Sequence, residues 1–167
     1  LFDGFERESR LEVARAARER GMLGVTDTQQ LLFLEGAIAY HELLRDARLV
    51  ALATARENAI KTQLDLEDER VRRGGGIAVD VLFAKARLQN AVQERVRFEG
   101  DLERARAAYR QIFDHVPPIG AMLEPISPLR ILPESVDEAL AIAGDANPTL
   151  AIARTDVASA DHARGIA

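Results

Sequence analysis

No proline interrupts the chain from about Asp3 to Arg73, and three consecutive glycines, Gly74, Gly75 and Gly76, follow at once. Proline is the strongest breaker of a helix interior, so a stretch this long without one, rich in helix formers, is a candidate for very long helix. Gly21 and Gly24 weaken the stretch, and Thr26-Asp27-Thr28 can cap a new helix start. The segment therefore reads either as one helix of about 70 residues or as two with a break near Gly24. One continuous helix of that size is roughly 105 Å long, more than an ordinary globule needs. The glycine triplet after Arg72-Arg73 reads as a helix stop followed by a tight reversal.

A second helix is expected from near Asp80. Its apolar residues recur every seven positions: Val81, Leu88, Leu102 and Tyr109 form one row, and Ala84, Ala91, Phe98, Ala105 and Ile112 the other, with Arg95 interrupting the first. A sustained seven-residue repeat points to left-handed coiled-coil packing. The long helix carries two such rows, one through Ile38, Leu52, Ala59 and Leu66 and one through Leu43, Val50, Leu64 and Val71. Their offset places them roughly 150° apart at 3.5 residues per turn. A helix with two separated seams touches neighbours on both sides, as a stave does in a barrel; a helix inside an ordinary bundle fits the same pattern.

Composition agrees with long helices. Hydrophobic residues make up 47% of the 167, enough to bury, yet aromatics are only 5% and tryptophan is absent. The net charge of −5 is spread over interspersed acids and bases without a basic block, which argues against nucleic acid as a partner. Cysteine is absent, which excludes disulfides and thiol chemistry. No apolar run approaches the roughly 20 residues of a membrane-spanning helix, and no signal peptide opens the sequence.

Beyond His115 the character changes. Pro117, Pro118, Pro125, Pro128 and Pro133 break any long helix. Leu129, Arg130, Ile131 and Leu132 suit a short extended piece. Ser135, with Glu138 three residues on, predicts a capped helix from about Val136 to Ala143, ended by Gly144-Asp145-Ala146. Asn147-Pro148 then predicts another helix start, with Asn147 as cap and Pro148 in the first turn. The expected organisation is a helical hairpin over 1–114 with its turn at 74–79, a proline-rich segment with a short helix over 115–147, and a further helix over 148–167. Both ends read as cut from something longer. The fold expected is all-α: a long antiparallel coiled-coil hairpin with a small irregular segment.

These residues resemble the TolC-like outer-membrane efflux and type I secretion channel family. Ala39-Tyr40 followed by Leu43-Leu44 is similar to a signature in that family's long helix. Gly74, six residues before Asp80, then Asp80-Val81-Leu82, Ala84, Ala86-Arg87-Leu88 and Ala91, resembles its periplasmic turn and returning helix. The proline-rich segment followed by Asn147-Pro148 and Leu150 resembles the join to the next helix, and Leu1-Phe2-Asp3 the exit from a membrane β-hairpin. The resemblance covers essentially the whole chain, in order. It implies one repeat of the periplasmic α-helical part of a trimeric outer-membrane channel of a Gram-negative bacterium, with the membrane β-barrel supplied elsewhere in the parent protein. It also implies an inner-membrane transporter and a periplasmic adaptor (membrane fusion) protein as partners, no nucleic acid, no membrane contact by this segment, no cofactor and no enzymatic activity.

The turn is the candidate site. By the resemblance, Arg73, Gly74, Gly75, Gly76 and Ile77 form the tip that meets an adaptor hairpin; Gly75 stands where the family usually has leucine, and Ile77 where many members have serine. Glycines that only close the hairpin are the plainer alternative. Asp80 is expected as an N-cap or first-turn acid, and by the resemblance also as part of the hydrogen bonds and ion pairs that hold the tunnel entrance shut. Asp65, Glu67, Asp68 and Glu69 cluster just before the turn, either as a solvated face or as an acidic ring lining the tunnel and favouring cations. His41, His115 and His162 lack ligand spacing, so no metal site and no catalytic residue is expected. Two other functions compete: a periplasmic adaptor hairpin, which would be flanked by lipoyl-like strands, and a structural helical-bundle scaffold. The proline-rich join leans toward type I secretion over drug efflux.

Overall fold

The computed structural model describes residues 6–126, 128 and 131–164. Leu1-Phe2-Asp3, Leu129 and Arg130 lie outside the described residues. The elements are α1 (Glu6–Arg72), α2 (Ala78–Phe113), a single 3-10 turn (Ile119–Ala121), α3 (Val136–Ala146) and α4 (Pro148–Arg164). The described residues are all-helical, with two long helices packed as a hairpin.

The break considered near Gly24 is absent, and α1 runs unbroken for 67 residues. Thr26 and Thr28 do not cap anything; their hydroxyls donate back to the carbonyls of Met22 and Gly24, four residues earlier, inside the helix. Ion pairs one turn apart support the exposed surface of α1, among them Arg10 with Glu6 and Arg15 with Glu12. Each such pair contributes only a few tenths of a kcal/mol, so packing must supply the rest.

The chain divides into two compact units. The first joins Leu1–Leu34 with Ile126–Ala167. Here α4 lies beside the opening half of α1: Arg20 pairs with Asp156 at 2.8 Å, and the Thr149 hydroxyl donates to Asp27 at 3.1 Å. Ala16, Pro148 and Thr155 are buried. Both predicted caps form. The Ser135 hydroxyl accepts from the Glu138 N–H at 3.1 Å, and the Asn147 side chain accepts from the Leu150 N–H at 3.2 Å. The Glu138 carboxylate reaches the N–H of Glu134, one residue beyond the cap itself. Gly144 does not end α3, which continues to Ala146, because the break is set by Pro148 rather than by the glycine. Ile131 is not extended: its N–H donates to the Pro128 carbonyl at 2.9 Å in a turn.

The second unit, Glu35–Pro125, holds the hairpin. All ten positions predicted for the α2 seam, Arg95 included, are buried or half-buried. The matching row of α1 through Leu43, Val50, Leu64 and Val71 is likewise covered. Leu43 is fully buried and forms the core with Leu102, Ala105 and Tyr109, against which Tyr40, Ala47, Val50, Ile119 and Met122 pack. The second predicted row of α1 is not covered: Ile38 is 49% exposed, and Leu52 and Leu66 are 67% exposed.

α2 stops at Asp114, a left-handed residue (φ 54°) whose N–H donates to the Arg110 carbonyl at 2.9 Å. The chain then doubles back as a strap along α1. Pro117 is buried, the Tyr40 hydroxyl donates to the Leu123 carbonyl at 2.6 Å, and Arg48 grips Glu124 with two bonds of 2.8 and 2.6 Å. Tyr40 is therefore a packing residue that also holds the strap.

Hydrogen bonds from Arg48, and then its charge, keep the Glu124 carboxyl below its ordinary value of 4.5. A carboxyl with a lowered folded-state value stabilises the strap above that ordinary value and loses the contribution as pH falls through the lowered one. Amide exchange at Met122–Glu124 is thus expected to be slow at neutral pH and to rise as pH drops below 4.5, once intrinsic rates are corrected. In Glu124→Gln the same amides should exchange faster at neutral pH with little change on acidification.

Candidate functional site: the hairpin tip

The tip is built by the way α1 ends. The Gly75 N–H donates to the Arg70 carbonyl at 3.0 Å, and the Gly74 N–H to the Val71 carbonyl at 2.9 Å. These two nested bonds close a helix end around a left-handed residue, and Gly74 supplies it with φ 81°. The Arg70 side chain reaches forward to the Gly75 carbonyl at 3.2 Å, tying the turn to the last helical residues. The reversal is complete within Arg73–Ile77, and α2 starts at Ala78.

The three glycines have different reasons to be there. A side chain at Gly74 would have to accept the left-handed conformation, which costs about 1–2 kcal/mol. At Gly76 a Cβ would lie 2.8 Å from Cγ2 of Val71 and 3.4 Å from its backbone nitrogen. At Gly75 a Cβ meets only ordinary contacts with Arg70, at 3.7 and 3.8 Å. A Cβ is thus admissible without strain at this position, unlike at its two neighbours.

Asp80 is not the cap of α2. That position belongs to Ile77, whose extended backbone carbonyl takes the Asp80 N–H at 3.0 Å, and no side chain caps the helix. Asp80 sits in the first turn, exposed, where an acid is favoured by the helix dipole. Among the described residues its carboxylate makes no ion pair. The cluster before the turn is only partly free: Asp68 pairs with Arg72 at 2.7 Å and Glu69 with Arg73 at 2.8 Å, each one turn along α1. Asp65 and Glu67 make no ion pair among the described residues. The structure therefore brings Arg72, Arg73, Asp68 and Glu69 together as neutralising pairs and leaves Asp65, Glu67 and Asp80 as local negative charges.

The heptad reading misses an apolar group at the tip. Ile77, Val79, Leu82 and Phe83 are all exposed, Leu82 at 64% and Phe83 at 60%. The signal was present in the sequence. Leu82 and Phe83 fall between the seam positions Val81 and Ala84, where a solvated coiled-coil helix would carry polar residues. Among the described residues there is no cluster able to hold a metal ion, and no helix is long and apolar enough to cross a membrane. His41 and His162 are exposed, and His115 stacks its ring edge-on against Tyr109 at 5.2 Å.

Residues 1–113 match the family of outer membrane efflux proteins, and the chain belongs to that family. No curated protein matches it.

The glycine geometry makes a direct prediction. Gly74→Ala should lower stability by about 1–2 kcal/mol, whereas Gly75→Ala should leave it unchanged or raise it by about 0.4–1 kcal/mol through the unfolded chain. Urea denaturation midpoints of the two variants would check the order.

Proposed function

We propose that this chain forms part of the periplasmic wall of a trimeric outer-membrane channel, and that its tip docks an adaptor protein serving an inner-membrane transporter. The observation that carries this reading is the bare row Ile38, Leu52, Ala59 and Leu66, heptad-spaced and exposed while α2 covers the other row. An isolated hairpin has no use for a second apolar row. A stave needs one for the next helix of the wall. Membership of the outer membrane efflux protein family supports the same reading.

Within it, 1–114 is the wall hairpin, 115–147 the segment that bands it, and 148–167 the start of the next helix. Arg73, Gly74, Gly75, Gly76 and Ile77 form the adaptor contact, extended by the exposed Val79, Leu82 and Phe83. Asp80 joins the contacts that hold the entrance shut, with its partners on another part of the assembly. Asp65 and Glu67 carry the negative potential of the tunnel lining, since Arg72 and Arg73 already offset Asp68 and Glu69. The chain conducts and does not catalyse; energy comes from the transporter. The proline-rich join favours type I protein secretion over drug efflux.

A photo-reactive residue at position 77, in cells carrying the channel, tests the docking. Cross-linking to the adaptor is expected, and a pattern indistinguishable from that of a control at exposed Arg18 would sink it. Single-channel recording tests the lining. Asp65→Asn with Glu67→Gln should lower cation selectivity more than Asp68→Asn with Glu69→Gln, and equal effects would remove the assignment.

A further inference from the structure

The seam of the hairpin carries charge at its middle. Arg95 occupies a row that otherwise holds Val81, Leu88, Leu102 and Tyr109, and its side chain is only 25% exposed. Across the seam stands Glu57, in the α1 row of Leu43, Val50, Leu64 and Val71, and 21% exposed. Arg95 donates to Glu57 at 2.6 Å and to Glu99 of its own helix at 2.6 Å. Beside this contact the order of charges is reversed: Arg56 of α1 donates to Glu94 of α2 at 2.7 Å. The sequence pair Arg56-Glu57 thus faces Glu94-Arg95 in two crossed bonds.

Between this layer and the tip the seam is nearly featureless. Ala84 and Ala91 are buried there together with Val81, and Leu64, Val71 and Leu88 are half-buried. Rows of alanine, valine and leucine repeat every seven residues, so displacing one helix by a heptad puts similar side chains opposite one another. The turn resists such a shift only weakly, because a glycine moved from a turn into a helix costs at most about 1 kcal/mol relative to alanine. The charged layer resists it strongly. A one-heptad slip in one direction sets Arg95 against Val50 and Glu57 against Leu88, and sets Arg56 against Arg87. A slip in the other direction sets Arg95 against Leu64 and Glu57 against Leu102. Either way Glu57 loses its ion pair and Arg95 keeps only Glu99 of its own helix, so a carboxylate is left facing an apolar seam, a costly arrangement. A polar residue at a single seam position is an established way for coiled coils to fix alignment at the expense of stability.

We propose that the crossed pairs Arg56–Glu94 and Glu57–Arg95 are a register lock that selects one antiparallel alignment of the hairpin and thereby fixes which residues reach the tip. The lock acts by excluding the displaced alignments more than by strengthening the native one.

The absence of cysteine makes alignment readable by engineered disulfides in this chain. One heptad tipward of the Glu57–Arg95 contact, Leu64→Cys with Leu88→Cys reports the native alignment. Leu64→Cys with Val81→Cys, and Val71→Cys with Leu88→Cys, report the two slipped ones. On the otherwise unchanged sequence only the native pair should close. With Glu57→Leu, Arg95→Leu, Arg56→Ala and Glu94→Ala added, helicity by circular dichroism should persist, closure of the native pair should fall to about half, and a slipped pair should close. The charge exchange Glu57→Arg with Arg95→Glu, together with Arg56→Glu and Glu94→Arg, should restore exclusive native closure. Native closure alone in the neutral variant would overturn the proposal, as would loss of helix there, which would make the layer a stabiliser and not a selector. Slipped closure in the exchanged variant would overturn it as well.

Discussion

Everything in the hairpin depends on how closely α1 and α2 approach along a seam of small residues. Gly36, Ala39 and Ala53 on one helix and Ala84, Ala91 and Ala105 on the other are buried. Small side chains let two helices come near, but each removes little apolar surface from water, so the seam is long and thin in energy. Bulk is concentrated at the base, where Leu43, Leu102 and Tyr109 form a cluster of larger side chains. The strap is placed there too, and it supplies Ile119 and Met122 to that cluster. The tip receives no comparable support and relies on backbone closure by Gly74 and on the Arg70 side chain.

How much of this was legible in the sequence follows the range of each interaction. The α2 seam was readable throughout because a seven-residue period is written locally and nothing in the tertiary structure overrides it. The caps at Ser135 and Asn147 were readable for the same reason. The continuity of α1 was not decidable, since two glycines and two threonines cost a long helix only a few kcal/mol in total and packing sets the balance. Of the two readings of Asp80, cap or first-turn acid, the structure takes the second, because the short five-residue turn starts α2 earlier, with Ile77 at the boundary. The strap could not be foreseen: Tyr40 and Leu123, like Arg48 and Glu124, are about 80 residues apart, and no periodicity links them. At the tip, the glycine turn was legible, but the exposed Leu82 and Phe83 were masked by the seam residues that flank them.

Many charges along α1 are used locally. Arg72 and Arg73 are neutralised by Asp68 and Glu69 one turn back, so the basic end of the helix offers less positive potential to a partner than its sequence suggests. Other charges pair between helices in the middle of the seam or on the strap. What remains at the end of the hairpin is chiefly shape and apolar surface.

The close approach of Gly76 to Val71 has a consequence for how such a tip can vary. With Gly74 in a left-handed backbone and a Cβ at Gly76 falling 2.8 Å from Val71, two of the four residues from Gly74 to Ile77 resist a side chain. Chemical identity at the extremity is confined to the other two, 75 and 77. The alphabet there is free while the spelling around it is fixed, so the side-chain chemistry of the extremity can change at two alternating positions without redrawing the turn.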